Sequence, residues 1–500
     1  MDRENSDTPK PFIKKLKTAN YNYIYDVHSN ELIRVTPLIY DIIDEIAENN
    51  ADQVVEKYKS KYEPNDIRES FASIKKAHTE HNYFSFHRPE IFSGFSSEYD
   101  VKYMLDSGLS QLILELSTRC NQSCKYCSVS GRYSQNGKQD MPPHIAKKAV
   151  DFFVERIAVN RKETTPAVTF YGGEVLKRFD LLKEVVEWTK SKGVFQKYRF
   201  SLTTNGTLLT DEIIAYFVEN NISILLSLDG PKKIHNRFRV FRNGKGTFDA
   251  IMKNLERIQQ YSRDYFLNLI SFNTVITPPY DFDAVIDFFF ASEFLSPLKH
   301  KVRINFVDAY ETSFFRDFQL EGEKKNLRKE FTKLRNRYKE ALINGTHEEL
   351  TVENSLFLQD FYAIVRRPLE TLPRQYPPKG SCIPGQRRLF VNTQGKFYMC
   401  EKVGSNYEIG NVDGGIDYKR IYNFYREYDR FFSDCKDCWA LRLCTKCFNN
   451  IRQGERFDEV RKKELCKSML RNIEENFVIY CEIMESKPDA FKFFENVKIT

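Results

Sequence analysis

An apolar, strand-like run leads directly into three cysteines in the stretch Leu112-Ile-Leu-Glu-Leu-Ser-Thr-Arg-Cys-Asn-Gln-Ser-Cys-Lys-Tyr-Cys127. The cysteines are Cys120, Cys124 and Cys127, with C-x3-C-x2-C spacing. Three thiolates this close can hold one face of a [4Fe–4S] cluster and leave one iron open to activate a small molecule. A structural zinc site would normally need a fourth Cys or His nearby, and none lies close in the sequence.

Strand-like and helix-like segments alternate from about residue 108 onward. The predicted strands are residues 112–116, 167–171, 198–203, 222–228, 267–272 and 302–307. The predicted helices are residues 143–159, 176–192, 210–220, 247–262 and 281–295. This alternation predicts an α/β fold with a parallel sheet. Six units are too few for a complete eight-fold barrel, so we expect an open, partial (β/α)6 barrel with its ligand site at the carboxyl ends of the strands.

The segments on either side of the barrel differ from it in composition and pattern. We therefore divide the chain into residues 1–95, 105–315, 316–375 and 376–485. In the first part, the aromatic and β-branched runs Tyr21–Asp26 and Leu32–Thr36 predict a β-hairpin, followed by helices from Pro37 and near residues 51–60 and 64–80. The charged, helical pattern of residues 316–375 predicts a helical bridge. Residues 376–485 have short elements, glycines and cysteines, and such a region usually needs metal to hold it together.

Composition excludes several classes of protein. The chain has 500 residues, 41% of them hydrophobic and 29% charged, so it can build a sizeable core and is not disordered in bulk. No apolar run reaches the roughly 18 residues needed to cross a bilayer. The first residues lack the apolar stretch of a signal peptide, and we expect a soluble, cytoplasmic protein that binds neither membrane nor nucleic acid. Since 11 cysteines are an odd number in a reducing compartment, they favour metal binding over disulfides.

The motifs resemble those of the radical SAM enzymes. The family signature is C-x3-C-x-Φ-C with Φ aromatic, and Tyr126 fills that position. Tyr171-Gly-Gly-Glu174 resembles the family's Gly-Gly-Glu motif, although Val175 replaces the proline that usually follows. Thr203-Thr-Asn-Gly-Thr207 and Ser227-Leu-Asp-Gly230 follow the third and fourth strands, where the family binds its cofactor.

The resemblance implies that S-adenosylmethionine binds to a [4Fe–4S] cluster held by the three cysteines and gives a 5′-deoxyadenosyl radical. Glu174 would hold the ammonium group of the cofactor, and Arg239 would meet its carboxylate. Polar groups after the third and fourth strands would contact the ribose and carboxylate. The implied cofactor-binding residues are Tyr126, Gly172, Gly173, Glu174, Thr204, Asn205, Ser227, Asp229 and Arg239.

Eight more cysteines follow between residues 382 and 481, and seven of them resemble the SPASM extension of peptide-modifying radical SAM enzymes. The resemblance implies two auxiliary [4Fe–4S] clusters, three clusters in all. The outer one would use Cys435, Cys438, Cys444 and Cys466, and the inner one Cys382, Cys400 and Cys447. The gap between Cys444 and Cys447 is two residues where the family normally has three. Three alternatives remain for the fourth iron of the inner cluster: it has no protein ligand, it has a non-cysteine ligand, or its ligand is Cys481. We expect Cys481 to be a core residue. Structural zinc-ribbon sites are the alternative for this region.

The first 95 residues resemble a RiPP recognition element, a module that binds the leader of a ribosomally made precursor peptide by adding a strand to a sheet edge. The edge strand is expected within Tyr21–Asp26 or Leu32–Thr36. The resemblances together imply a peptide maturase that forms thioethers from a Cys thiol to a carbon atom, with an external electron donor such as flavodoxin or ferredoxin. The alternatives are a carbon–carbon crosslinking maturase, an anaerobic sulfatase maturase and a non-catalytic iron–sulfur scaffold that binds peptide.

Overall fold

The computed structural model describes residues 10–47, 49–127, 138–159, 165–195, 197–307, 312–318, 320–378, 383, 385–403 and 407–495. Helices and strands are numbered below in chain order. No helix within these ranges is both long and apolar enough to cross a bilayer.

The amino-terminal module is a three-stranded antiparallel sheet followed by helices. Its strands, in spatial order, are β1 (Ile13–Lys17), β2 (Asn22–Asp26) and β3 (Glu31–Val35). The helices are α1 (Pro37–Ile42), which continues as a 3-10 turn over Ile43–Ile46, α2 (Ala51–Tyr58) and α3 (Pro64–His81). The predicted two-stranded hairpin was therefore incomplete, because the lysine-rich β1 carries little strand signal. Of the two segments in which the edge strand was expected, Tyr21–Asp26 is excluded because β2 pairs on both sides, and Leu32–Thr36 overlaps β3, which lies at an edge.

Six parallel strands form the barrel, and they lie side by side in chain order, as the alternation predicts. They are β5 (Gln111–Ser117), β6 (Ala167–Gly172), β7 (Arg199–Thr204), β8 (Ser223–Ser227), β9 (Ile270–Ile276) and β10 (Val302–Phe306). The predicted strand over 267–272 starts later, because residues 263–269 form a helix. The carboxyl ends of all six strands meet at one edge, where a ligand site is expected.

Helices cover the outside of the sheet, and their apolar faces join one continuous core with the strands. They are α4 (Glu98–Gly108), α5 (Pro143–Val159), α6 (Phe179–Ser191), α7 (Asp211–Glu219), α8 (Lys232–Phe238), α9 (Phe248–Tyr261), α10 (Arg263–Leu269) and α11 (Phe282–Phe290). The predicted helix over 176–192 begins as a 3-10 turn, Val175–Arg178, and the one over 281–295 ends early at Phe290.

The bridge and the carboxyl-terminal region complete the described chain. The bridge holds α12 (Leu320–Asn344) and α13 (Thr351–Val365), as its charged periodicity predicts, and the last region holds α14 (Tyr418–Phe431) and α15 (Glu459–Ser486). The short strands are β4 (Glu90–Ile91), β11 (Gln375–Tyr376), β12 (Arg388–Val391), β13 (Phe397–Tyr398), β14 (Gly410–Asn411), β15 (Gly415–Ile416), β16 (Arg452–Gln453) and β17 (Arg456–Phe457).

The carboxyl-terminal region is tied to the barrel through the sheet itself. Strand β12 pairs in parallel with β5, and β13 pairs antiparallel with β12, so the main sheet has eight strands rather than the predicted six. Strands of two and four residues are too short to show periodicity in a sequence. Their pairing places β13, which ends two residues before Cys400, one strand away from the strand that leads into Cys120.

Candidate active site

The cysteine triad lies on a cavity of about 640 Å³ at the carboxyl ends of the strands. This volume is in the range of small-molecule sites. Most of the residues predicted from the sequence line it, namely Cys120, Cys124, Tyr126, Cys127, Gly172, Gly173, Thr204, Asn205, Ser227 and Arg239. The predicted Glu174 and Asp229 do not line it, and both are almost fully buried behind its wall.

Backbone contacts hold the cysteine loop against the segment that follows α8. The Ser123 N–H donates to the carbonyl of Val240 at 2.9 Å, and the guanidinium of Arg242 donates to the carbonyl of Cys120 at 3.0 Å. The loop is thus fixed on the side away from β6. A fixed loop keeps the three thiols at a constant spacing, which a multinuclear cluster needs.

The two glycines after β6 are required by a close approach of two backbone segments. A Cβ atom on Gly172 would lie 2.2 Å from the carbonyl oxygen of Ser117, and one on Gly173 would lie 2.6 Å from that of Arg119. Gly172 also has a φ of +139°, which side chains rarely adopt. The Gly173 N–H donates to the Ser117 carbonyl at 2.8 Å. The glycines therefore bring β6 against the chain that enters the cysteine loop, in addition to any approach to a ligand.

Glu174 organises the wall of the cavity. One carboxylate oxygen accepts from Thr204 Oγ1 at 2.7 Å and from the Leu176 N–H at 3.0 Å, and the other accepts from the Asn205 N–H at 2.9 Å. Burial raises the pKa of this carboxyl, although the three donors act in the opposite direction. Its side chain thus fixes the turn after β7.

That turn reaches back to the cysteine loop through amide side chains. Asn205 Nδ2 donates to Asn121 Oδ1 at 2.9 Å, and it lies 3.8 Å from the sulfur of Cys120. Asn121 Nδ2 in turn donates to Thr207 Oγ1 at 2.9 Å. A chain of hydrogen bonds therefore runs from Glu174 through Asn205 to the first cysteine.

A buried ion pair forms the opposite wall. Arg239 Nε donates to an Asp229 oxygen at 2.9 Å, and the Tyr126 hydroxyl donates to the same oxygen. The other Asp229 oxygen accepts from the Val275 N–H at 3.0 Å. Burial alone lowers the pKa of Arg239, but the Asp229 carboxylate, together with Tyr126 and Cys124, more than offsets this, and the pKa stands above its usual value. The arginine is therefore a fixed cation, and it presents part of its guanidinium to the cavity.

The sequence did not single out His235, which supports this pair from behind. Its Nδ1 accepts from the Asp229 N–H at 3.2 Å, so its Nε2 carries the proton and donates to Thr247 Oγ1 at 2.9 Å. Burial lowers the pKa of His235 to about 4. A single histidine in a helical stretch does not reveal this role in the sequence, because only the fold brings Asp229 and Thr247 next to it. Asn121 and Thr207 were missed for the same reason.

The thiols of the triad suit a cluster better than a single ion. Burial, together with the nearby Cys127 and Cys120, raises the pKa of Cys124 to about 12, so a metal is needed to make this thiol a good ligand. No group of three His, Cys, Asp or Glu side chains in the described ranges is arranged to hold one metal ion. Three cysteine thiolates are the donor type that an iron–sulfur cluster takes. The donors present fit the implied [4Fe–4S] cluster.

The carboxyl-terminal cysteines fall into two groups in space. Burial is the largest influence on the pKa of five of these thiols, and the neighbouring cysteines that also act on the pKa define the groups; the five are Cys400, Cys435, Cys438, Cys444 and Cys466. Cys435 and Cys438 both interact with Cys466, and Cys444 interacts with Cys438 and Cys466. Cys400 interacts instead with Cys447. The SPASM resemblance implies the same division into an outer and an inner ligand set, and the role of these cysteines as cluster ligands stays a prediction.

Two further cysteines complete the comparison with the predicted ligands. Cys382 lies outside the described residues. Cys481 is 2% exposed within the hydrophobic core, and its charged neighbours are Glu485, Arg367 and Glu482. This environment agrees with the expectation that Cys481 is a core residue.

Comparison with known proteins agrees with this site. A model of the radical SAM superfamily matches residues 114–290. The radical SAM cyclopropyl synthase TigE of Paramaledivibacter caminithermalis is 24% identical over 352 residues, which are 67% of this chain and 66% of TigE. The cysteine-type anaerobic sulfatase-maturating enzyme of Clostridium novyi is 32% identical over 175 residues, which are 33% of this chain and 45% of that enzyme. The chain thus spans less than two thirds of the length of either relative.

A solved structure shares the fold. It is described as native anSMEcpe with bound AdoMet and Cp18Cys peptide, and it aligns with a TM-score of 0.53 at 19% identity. The alignment covers 78% of this chain and 100% of that one. The family match covers the strands that carry the cysteine triad, the glycine turn and the buried Asp229–Arg239 pair, so residues 114–290 are similar to the radical SAM superfamily in the part of the chain that forms this site.

Proposed function

We propose that this chain is a radical SAM peptide maturase that forms thioether crosslinks, from a Cys thiol to a carbon atom, in a ribosomally made precursor peptide. The observation that carries the proposal is the single cavity bounded by the cysteine triad, the glycine turn and a fixed arginine. When bound there, S-adenosylmethionine on a [4Fe–4S] cluster supplies radical chemistry able to abstract an unactivated hydrogen.

The residues of the cavity would divide the binding of the cofactor between them. Cys120, Cys124 and Cys127 would hold the cluster. Arg239, kept cationic by its buried ion pair, would bind the carboxylate of S-adenosylmethionine through a charge-assisted hydrogen bond. Ser227 lines the same cavity and offers a hydroxyl to the ribose.

Electron balance gives the carboxyl-terminal cysteines a role. Forming a thioether removes two hydrogens from the peptide, so after one hydrogen is abstracted a second electron and a proton must still leave. The two cysteine groups would hold auxiliary clusters that can accept this electron. An inner group with three cysteine ligands would leave one iron free for the substrate thiolate, because metal binding deprotonates a thiol. An external donor such as flavodoxin or ferredoxin would supply the electron that starts each turnover.

The amino-terminal module would bind the leader at the outer edge of β3. One face of its sheet is covered by the module's own helices, where Ile24 is fully buried. The other face packs on α15, where the rings of Tyr25 and Phe477 lie 4.9 Å apart. Just before β1, the Phe12 N–H donates to the carbonyl of Ser85 at 2.8 Å, so the chain that enters β1 is already paired with another segment. An extended leader is therefore best accommodated by Glu31–Val35, through β-augmentation.

The first test removes the catalytic cluster and keeps the others. Replacing Cys120, Cys124 and Cys127 with Ala should abolish 5′-deoxyadenosine formation by reconstituted, reduced protein while auxiliary iron remains. Cys481→Ala is the matched control and should form 5′-deoxyadenosine at the wild-type rate. Undiminished cofactor cleavage in the triple variant would refute the assignment.

The product separates the thioether proposal from its rivals. A thioether consumes a substrate thiol, so the peptide should lose two hydrogens and one site of alkylation by iodoacetamide. A carbon–carbon crosslink would lose the hydrogens but keep the thiol. A sulfatase maturase would instead convert the cysteine of a sulfatase peptide, and an iron–sulfur scaffold would form no 5′-deoxyadenosine.

Leader binding has its own test. Deleting residues 1–95 should weaken binding of the precursor strongly while unproductive cleavage of S-adenosylmethionine continues. If the full-length protein processed a leaderless peptide as fast as the whole precursor, the docking role would be wrong.

A further inference from the structure

A second cavity, of about 370 Å³, lies inside the barrel toward the amino ends of the strands. Barrel interiors of this kind are usually filled by bulky branched residues. Here the inward positions carry small polar side chains, among them Thr169, Ser201, Ser223 and Ser271. Thr169 Oγ1 and Ser201 Oγ lie 2.9 Å apart and share a hydrogen bond, so the wall of this cavity is polar. The interior is therefore a lined space rather than a packed core.

This second cavity adjoins the first. Tyr171 and Thr203 line both of them, because each stands near the carboxyl end of its strand with its side chain turned inward. A chain entering from the amino ends of the strands would thus reach the space beside the cysteine triad. The first cavity would hold the cofactor, and the second would hold whatever the radical attacks.

The outer mouth of the second cavity is strongly cationic. Its charged lining residues are Arg199, Arg303, Arg387, Arg388 and Glu401. Glu401 accepts a hydrogen bond from Arg388 at 3.2 Å.

The other three arginines of the mouth are exposed on its rim. Arg199, Arg303 and Arg387 have no ion-pair partner among the residues that the structure describes. Basic groups continue beyond the rim, since an adjoining cavity that shares Arg303 is lined by His300 and Lys301. Unpaired guanidinium groups converging on one opening attract carboxylates and bind them through paired hydrogen bonds.

We propose that the mouth at the amino ends of the strands admits the core segment of the substrate peptide and selects segments that carry Asp or Glu. This inference deepens the proposed function and rests on it, because the peptide must reach the cofactor cavity to be modified. The polar wall of hydroxyls would hydrogen-bond the extended peptide backbone. The arginines would hold acidic side chains that remain at the rim.

The test compares two fluorescein-labelled synthetic peptides, each with one cysteine, that differ only in carrying three glutamates or three glutamines. Wild-type protein should bind the glutamate peptide about tenfold more tightly by fluorescence polarisation, as expected for hydrogen bonds to charged groups. High salt should reduce this preference, because the arginines are exposed. The double variant Arg199→Glu/Arg303→Glu should lose the preference.

The matched control is Lys253→Glu, which reverses an exposed charge on the outer helix α9 and should keep the preference. Melting temperatures of both variants check that they are folded. Equal binding of the two peptides by wild type, or a preference that survives in the double variant, would overturn the inference. A labelled oligothymidylate provides a further check. If it bound more tightly than the glutamate peptide and this binding were lost in the double variant, the mouth would be a nucleic-acid site and the inference would also be overturned.

The result that would refute the proposed function differs from the result that would refute this inference. If wild-type protein forms 5′-deoxyadenosine and modifies its precursor but shows no preference for glutamate, only the acidic-peptide inference falls. If it forms no 5′-deoxyadenosine, the proposed function falls whatever the peptides do.

Discussion

Glu174→Gln is the most informative single substitution, because the sequence and the structure give its carboxylate different partners. The motif resemblance implies contact with the ammonium group of the cofactor. In the structure the two oxygens accept three hydrogen bonds, from Thr204, Leu176 and Asn205. The side chain is 1% exposed, so water cannot replace a lost partner.

The cost can be estimated from these contacts. The best orientation of the glutamine keeps its oxygen toward Thr204 and Leu176 and turns its NH2 group toward the Asn205 N–H, which then has no acceptor. A buried donor without a partner costs about 1–3 kcal/mol, and the two remaining bonds lose their charge assistance. A neutral amide avoids the burial cost that raises the pKa of Glu174, so we expect a net loss of about 2 kcal/mol.

The assay is thermal unfolding of the protein without S-adenosylmethionine, followed by calorimetric titration with it. A loss of about 2 kcal/mol should lower the melting temperature of a unit the size of the barrel by roughly 4–8 °C. Binding of the cofactor should weaken as well, since the turn that carries Asn205 lines the cavity. The control is Glu155→Gln, an exposed glutamate on α5, which should change neither quantity.

The two outcomes separate the interpretations. An unchanged melting temperature together with weaker cofactor binding would refute the positioning role and favour direct contact with the ammonium group. A lower melting temperature without the cofactor is the result that only the positioning role explains.

Three further predictions concern Gly172, Cys481 and His235. Gly172→Ala should destabilise the site and reduce iron in the catalytic cluster, because its Cβ would lie 2.2 Å from a Ser117 oxygen; normal iron content would refute this. Cys481→Ala should leave total iron unchanged, and loss of about one cluster would identify Cys481 as the fourth inner ligand. His235 should make the protein less stable as pH falls from 6.5 toward 4, because its pKa is lowered to about 4 on folding and the unfolded chain takes up the proton first. The full effect is about 3 kcal/mol, and urea titrations of His235→Asn should show a shallower pH dependence.

The repeated pattern of the barrel could be predicted because each of its parts has a local signal. Long helices such as Pro143–Val159 have 3.6-residue periodicity, and the strands are apolar runs between turns. The strand predicted to begin at Leu267 shows the limit of this method. Leu267 and Leu269 continue the apolar run of β9 toward its start, but Ser262 caps a short helix there by accepting a hydrogen bond from the Tyr265 N–H at 3.2 Å. A run of apolar residues does not reveal where a helix gives way to a strand.

The site was predictable to the extent that its chemistry is carried by motifs. The cysteine triad and the glycine turn have fixed spacing, so their neighbourhood could be inferred from the chain alone. The partners of Glu174 could not be inferred, because a carboxylate beside a cofactor motif suggests a ligand contact as readily as an internal one. The cationic mouth has no motif at all. Arg199 and Arg303 lie 104 positions apart in the sequence and Arg303 and Arg387 lie 84 apart, and only the sheet brings them to one opening.

The loop between Cys438 and Cys444 joins the proposed chemistry to the proposed docking of the leader. The Arg442 side chain is 1% exposed, and it donates to the carbonyls of His28 at 3.0 Å and Glu370 at 2.7 Å. Trp439 in the same loop lies edge-on to Tyr25 of β2, with ring centroids 6.4 Å apart. The turn after β2 therefore cannot shift without disturbing buried hydrogen bonds in this loop, and each broken bond would leave a polar group unsatisfied. A strand added beside β3 would thus act on a sheet already locked to the outer cysteine group, which gives the amino-terminal module a rigid position relative to the radical site.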